Sequence, residues 1–142
     1  MKVELRRVND AFHFEAVGAA GVAVHIDGSP EIGGVNAGAR PMEMILMGLG
    51  GCSAIDIVLI LQKQRQVIED MRITIEAERV PNETPSVFKT IHVHYTFKGD
   101  LNEEKVKRAI ELSMEKYCSV TAILNKTAEI SHSFSVEPVH AA

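Results

Sequence analysis

An α+β fold is what this sequence predicts, and three observations carry that prediction. Alternating apolar and polar runs mark short strands before residue 27 and long strands after residue 71. One unusually apolar helix, opening at Pro41, divides the two groups. A second helical stretch stands between the long strands and a closing one, so helices are segregated rather than alternating regularly with strands. At 142 residues the chain suits a single domain, 1–142, with a core of its own.

The elements follow from local pattern. Residues 2–8 (KVELRRV) alternate loosely. After the turn signal Asn9-Asp10, AFHFEAV alternates with Phe12, Phe14 and Ala16 on one face, which predicts a hairpin. VAVHI (22–26) is a third strand, ending at the turn dipeptide Asp27-Gly28. Residues 28–40 are glycine-rich and aperiodic, a loop leading into the helix. Pro41 suits a first helical turn and Glu43 suits the positive end of the helix dipole. The helix is expected to reach Arg65 or Gln66 and is apolar nearly all round from Met42 to Leu61, so it must be covered on every side. RITIEAERV (72–80), with Ile73, Ile75 and Ala77 inward, pairs with VFKTIHVHYTF (87–97), with Val87, Lys89, Ile91, Val93, Tyr95 and Phe97 on one side. Asp100 and Glu103 resemble a capping box that opens a helix through about Lys116. SVTAIL follows as a short helix and AEISHSFSV (128–136) as the last strand.

Composition excludes several classes. Hydrophobic residues at 46% and charged residues at 24% fit a folded soluble domain, with fraying expected only near Pro138 and Ala141-Ala142. A net charge of −4, with no basic cluster longer than Arg6-Arg7, argues against nucleic acid as a partner. The N-terminus lacks an apolar h-region and a cleavage site, so a cytoplasmic location is expected. Residues 41–61 approach the length of a membrane span. Glu43 and Asp56 lie within them, however, at a cost of about 3 kcal/mol for a carboxylate near mid-bilayer, so no membrane is expected.

Gly48, Gly50 and Gly51 together disfavour this helix by about 3 kcal/mol relative to alanine. Glycine inside a helix admits the close approach of another element, and the chain has few others to offer. A second copy is therefore expected to cover the helix, making a homodimer. Cys52 shares a helix face with apolar neighbours and with Asp56, whereas Cys118 falls where a new helix begins. Each thiol alone reads as packing as readily as chemistry. Sixty-six positions apart (52 to 118), they match no zinc-ligand spacing; together with the glycine cleft they suggest a dithiol that cycles through sulfenic acid and disulfide.

The run PMEMILMGLGGCSAIDIVLILQK, the spacing to MEKYCSV and the order of elements resemble the OsmC/Ohr family of thiol-dependent peroxidases, in its YhfA-like branch. The resemblance implies antiparallel sheets wrapped around a buried central helix in an intertwined homodimer. It also implies Cys52 as the peroxidatic and Cys118 as the resolving cysteine, an organic hydroperoxide as substrate and a dithiol as reductant. The family pattern has a glutamate directly after the proline and an arginine near the N-terminus. Here Met42 follows Pro41, Glu43 stands one place later and nine positions from Cys52, and no arginine stands in VGAAGVAVHIDG, which leaves Arg40 as the candidate.

The expected function is thus a thiol-dependent peroxidase acting through Cys52 and Cys118, with no cofactor and no metal. The alternative is a non-catalytic dimer that binds a small apolar or acyl ligand in an interface pocket, with both cysteines as packing. His92 and His94 share a strand face, but without a third ligand at fixed spacing they are expected to be solvated.

Overall fold

Strand pairing organises the chain in two places. A computed structural model describes residues 1–139 in two compact units, Met1–Met47 and Gly48–Ala142. The fraying expected at Ala141-Ala142 lies outside the described residues.

In the first unit, β1 (Glu4–Arg7), β2 (Phe14–Val17) and β3 (Val24–Ile26) form an antiparallel sheet in that order. The expected hairpin forms, but Phe12 lies outside β2. The Asn9 side-chain oxygen accepts from the Ala11 and His13 N–H groups at 3.0 and 3.1 Å, so the turn extends to residue 13. β3 starts at Val24 rather than at residue 22, after Gly21 has adopted φ +71°. The glycine-rich loop holds one 3₁₀ turn, Pro30–Ile32, and is organised by Asp27. This side chain is 1% exposed, and its Oδ2 accepts from Val35 N at 3.0 Å and Ala37 N at 3.1 Å. The Val35 N–H, opposed by burial and helped by the Ala37 and Gly28 N–H groups, holds its carboxyl below the ordinary range.

α1 spans Pro41–Lys63. Glu43 Oε1 accepts from Arg40 N at 2.8 Å, the carboxylate half of a capping box. The helix stops two residues before its expected end. Arg65 takes a left-handed φ of 57°, and the Gln66 and Arg65 N–H groups return to the Leu61 and Gln62 carbonyls in a Schellman closure.

In the second unit, β4 (Asp70–Arg79) pairs antiparallel with β5 (Phe88–Lys98), and β6 (Glu129–Glu137) pairs with β5 in parallel. The expectation of antiparallel sheets therefore holds for the first sheet, and the second is mixed. Its helical connection, residues 103–124, is long enough to return the chain to the same end of β5, as a parallel pair requires. Along β5, Ile91, Val93, Tyr95 and Phe97 face inward as expected, but Lys89 is exposed and Phe88 is buried in its place. A register shift at Glu78/Arg79 changes the alternation there.

α2 (Glu103–Leu112) is capped by Asn102, not Asp100: the Asn102 Oδ1 accepts from Lys105 N at 3.0 Å. The helix was expected to reach Lys116. Instead it passes at Ser113–Tyr117 into a π-helical turn, and α3 (Ser119–Leu124) follows.

The core of this unit is built by Leu49, Ile57 and Leu61 of α1, the inward residues of β5, and Val106, Ala109 and Ile110 of α2. A polar link joins α1 to β5 across it. Tyr95, fully buried, donates its hydroxyl to Ser53 Oγ at 2.7 Å, and Ser53 donates to Gly50 O at 3.2 Å. Burial pushes the Tyr95 hydroxyl up to about 12.

Two stability outcomes follow from these groups. The depressed Asp27 carboxyl stabilises the fold above its ordinary value of 3.8, and this contribution is lost as pH falls through the lower folded value. Asp27→Asn is expected to lower Tm at neutral pH, with the deficit narrowing on acidification below that value; thermal melts at several pH values read it. Tyr95→Phe is expected to cost about 1 kcal/mol at neutral pH by urea titration, for the lost hydrogen bond. Above pH 10.0 the unfolded Tyr95 ionises while the folded one resists up to about 12, so stability falls across that window in the parent and less steeply in Tyr95→Phe.

Candidate functional site

The stripe Leu49, Ser53, Ile57 and Leu61, four residues apart along α1, is fully buried and fixes the rotation of the helix in the second unit. Cys52 and Asp56, one turn apart, emerge together beside that stripe. Both are half-buried. Across from them stands Cys118, 3% exposed, as the N-cap of α3. One atom from each of the three, the two Sγ and an Asp56 carboxylate oxygen, lie within 4.8 Å of one another. The two cysteines singled out in the sequence are thus brought together, as free thiols.

The π-helical turn shapes this meeting. It ends with Cys118 N donating to Ser113 O at 2.7 Å, a five-residue hydrogen bond that sets the thiol at the start of α3. Ser113 Oγ, also buried, donates to Asp56 Oδ2 at 3.0 Å and so orients the carboxylate. The Thr121 N–H donates to Cys118 Sγ at 3.4 Å. Cys118 was expected where a new helix begins, a position whose free N–H groups favour a thiolate. The contact is present, but burial outweighs it and, with Cys52 adding to the same effect, pushes the Cys118 thiol up against the Thr121 donors. Cys118 therefore holds its proton more tightly than an ordinary cysteine.

A cavity of about 360 Å³ opens beside Asp56, lined also by Leu59, Ile60, Lys63 and Tyr117; neither cysteine is in its wall. It is predominantly apolar, with one carboxylate and one ammonium in its wall.

The glycines divide. A Cβ at Gly50 would stand 3.1 Å from Ile75 Cδ1, so this glycine makes room for β4 of the same chain, and the expectation that another copy requires it is corrected. At Gly48 and Gly51 an added Cβ meets nothing within 4 Å.

The other polar candidates are engaged elsewhere. The Arg40 guanidinium donates to Gly38 O at 3.1 Å and Asn36 Oδ1 at 2.6 Å, while Glu43 caps the start of α1. His92 shares hydrogen bonds with Ser131 and Ser133 of β6, and His94 with Ser133. Sequence reasoning missed the role of Ser113, which fell within a helix expected to be regular through Lys116, and noted Asp56 only as a neighbour of Cys52. A signal for Asp56 was available: a carboxylate one turn from a cysteine in an otherwise apolar helix has to meet a polar partner.

The OsmC-like protein family model matches residues 34–133. Protein YhfA of Escherichia coli (strain K12) is 50% identical over 97 residues, covering 68% of this chain and 72% of that protein. A solved protein of Aquifex aeolicus VF5 superposes with a TM-score of 0.85 at 29% identity, over 98% of this chain and 97% of the other. The organic hydroperoxide resistance protein OhrB of Bacillus subtilis shares the fold, with a TM-score of 0.66 at 19% identity over 94% and 96% of the two chains. The expected relationship is borne out, and on the family match and the YhfA identity the chain belongs to the OsmC-like protein family.

Proposed function

We propose that this protein reduces organic hydroperoxides through Cys52, with Cys118 as the resolving thiol. The observation that carries the reading is the approach of two distant cysteines to within 4.8 Å, next to Asp56, which itself borders a largely apolar cavity. That separation is short enough for small side-chain and backbone movements to close to a disulfide bond of about 2 Å. Organic hydroperoxide resistance proteins among its structural neighbours support the substrate class.

The two thiols are unequal in a way that suits the two roles. Cys52 is the more exposed and meets an incoming peroxide first, whereas Cys118 is buried and keeps its proton. The Cys52 thiolate attacks the terminal peroxide oxygen; the O–O bond breaks and the alkoxide leaves, taking a proton to become the alcohol. The sulfenic acid formed on Cys52 is attacked by the Cys118 sulfur. An S–S bond forms, the S–O bond breaks, and the departing hydroxide leaves with the Cys118 proton as water. A dithiol reductant returns both thiols. Such a cycle belongs in a reducing compartment, and we place the protein in the cytoplasm.

The working form we propose is a homodimer. Ile45, Met47, Ile55 and Leu59 of α1 are 39%, 57%, 65% and 50% exposed within one chain, on the same helix as the open Gly48 and Gly51. α1 is long and apolar enough to cross a membrane by length and composition. A second chain packed on this helix gives the uncovered residues an apolar surrounding without a bilayer.

The apolar cavity beside Asp56 also suits a non-catalytic binder of a small apolar or acyl ligand, and the same experiment separates the readings. With cumene hydroperoxide and a dithiol, the parent protein is expected to consume peroxide and to lose two free thiols per chain when the reductant is withheld. Cys52→Ser should abolish consumption. Cys118→Ser should allow a single round and leave a sulfenic acid that dimedone traps. Full consumption by Cys52→Ser, or no thiol loss in the parent, overturns the peroxidase reading. For the dimer, sedimentation is expected to give twice the chain mass. The double substitution Gly48→Ala and Gly51→Ala should weaken association if a partner occupies that space, and would instead stabilise an isolated helix by about 1 kcal/mol per site.

A further inference from the structure

The reduced Cys52–Asp56–Cys118 trio has the donor set of a metal site. We propose that it binds a thiophilic, tetrahedral divalent cation of the zinc class, with two sulfur ligands and one carboxylate oxygen. This uses the thiols of the peroxidase reading but does not rest on it, since binding needs no peroxide and no turnover.

Four features of the structure meet what such a site requires. The ligand types are right: cysteine sulfur and aspartate oxygen are both ordinary zinc donors. The spacing is close to right. A zinc tetrahedron places neighbouring donors roughly 3.5–3.8 Å apart, and the three atoms here already lie within 4.8 Å, so contraction by about 1 Å completes the arrangement. The ligands have supporting hydrogen bonds, Ser113 Oγ to Asp56 Oδ2 at 3.0 Å and Thr121 N to Cys118 Sγ at 3.4 Å, which orient the donors before the ion arrives. Two of the ligands can be reached from outside, because Asp56 lies in the wall of the 360 Å³ cavity and Cys52 is only half-buried. Three protein ligands leave a fourth position for water or another small donor.

Charge gives a further reason. Among the described residues, no lysine, arginine or histidine nitrogen lies within 4.0 Å of the Asp56 carboxylate, so that carboxylate has no side-chain ion pair. A divalent ion would supply what the side chains do not, and would cap both thiols while bound. This grouping is invisible in the sequence, where a metal was sought among histidines and at regular cysteine spacings. It arises because α1 carries two donors on one face and the π-helical turn delivers the third.

The test uses the full chain, fully reduced, stripped of metal and kept free of oxygen, titrated with Co²⁺ as a spectroscopic probe. Binding of one ion per chain is expected, with sulfur-to-cobalt charge-transfer absorption, the visible bands of a tetrahedral ion, and displacement of both by Zn²⁺. Cys118→Ser should lose about half of the charge-transfer intensity. Asp56→Asn should keep that intensity at saturation but weaken binding at least about tenfold, and Ser113→Ala should weaken it by a comparable factor. Circular dichroism checks that each variant is folded, and Asp56→Asn provides the test where Cys118→Ser is not. A parent spectrum lacking the charge-transfer band overturns the proposal, as does one that every folded variant reproduces with unchanged affinity. Peroxide consumption plays no part in the readout, so loss of the peroxidase reading would leave this result intact.

Discussion

The seating of α1 by Leu49, Ser53, Ile57 and Leu61 is the constraint on which the site depends. A four-residue stripe fixes which way every other side chain of the helix points, because residues one turn apart must follow each other around it. Once that stripe is buried, Cys52 and Asp56 have a set direction, and a rotation by one residue, about 100°, would carry both away from Cys118. The Tyr95–Ser53 hydrogen bond makes the rotation specific. Apolar side chains alone tolerate sliding, whereas a buried hydroxyl pair has one favourable register and leaves polar atoms unpaired in the others.

The partner thiol is held by a different device. Cys118 needs a backbone that is neither the end of α2 nor a free loop, and the π-helical turn provides it. Closing five residues with the Cys118 N–H to Ser113 O bond widens the helix locally, and Cys118 then begins α3 in an extended conformation. The same turn contributes Ser113 Oγ to Asp56. One irregular segment therefore positions a sulfur directly and a carboxylate through a hydrogen bond, which couples the geometry of the two.

Much of this was legible in the sequence, and what was not has identifiable causes. The long strands, the apolar helix and the pairing of Cys52 with Cys118 followed from alternation, from hydropathy and from the family resemblance. Phe88 was hidden by a register shift, since alternation read through a bulge assigns the wrong parity on one side of it. The cap of α2 was misplaced by two residues because Asp100, Asn102 and the following acidic residues all carry capping chemistry, and only the fold selects Asn102. The parallel entry of β6 leaves no local trace, because an alternating strand has the same pattern in either direction. The π-helical turn was unreadable for a related reason: SMEKY continues the apolar spacing of α2 well enough to pass as one more regular turn. Ser113 was misread with it.

What most distinguishes the site electrostatically is the carboxylate. Two unit charges no more than 4.8 Å apart repel by at least about 3 kcal/mol at an effective dielectric near 20, so three charges here would carry on the order of 10 kcal/mol of mutual repulsion. That is comparable with the whole stability of a small domain, and the site does not hold three negative charges unaided. Protons or a cation must occupy it. Cys118 supplies part of the answer by retaining its proton under burial. Ser113 supplies another part, since its hydroxyl donates to Asp56 and takes up some of that charge. When Cys118 later gives up its proton to complete a disulfide, both sulfurs become neutral together. The buried thiol, the serine at the helical irregularity and the carboxylate on α1 thus form one arrangement, in which burial keeps the proton on Cys118 and a hydroxyl fixes the carboxylate beside it.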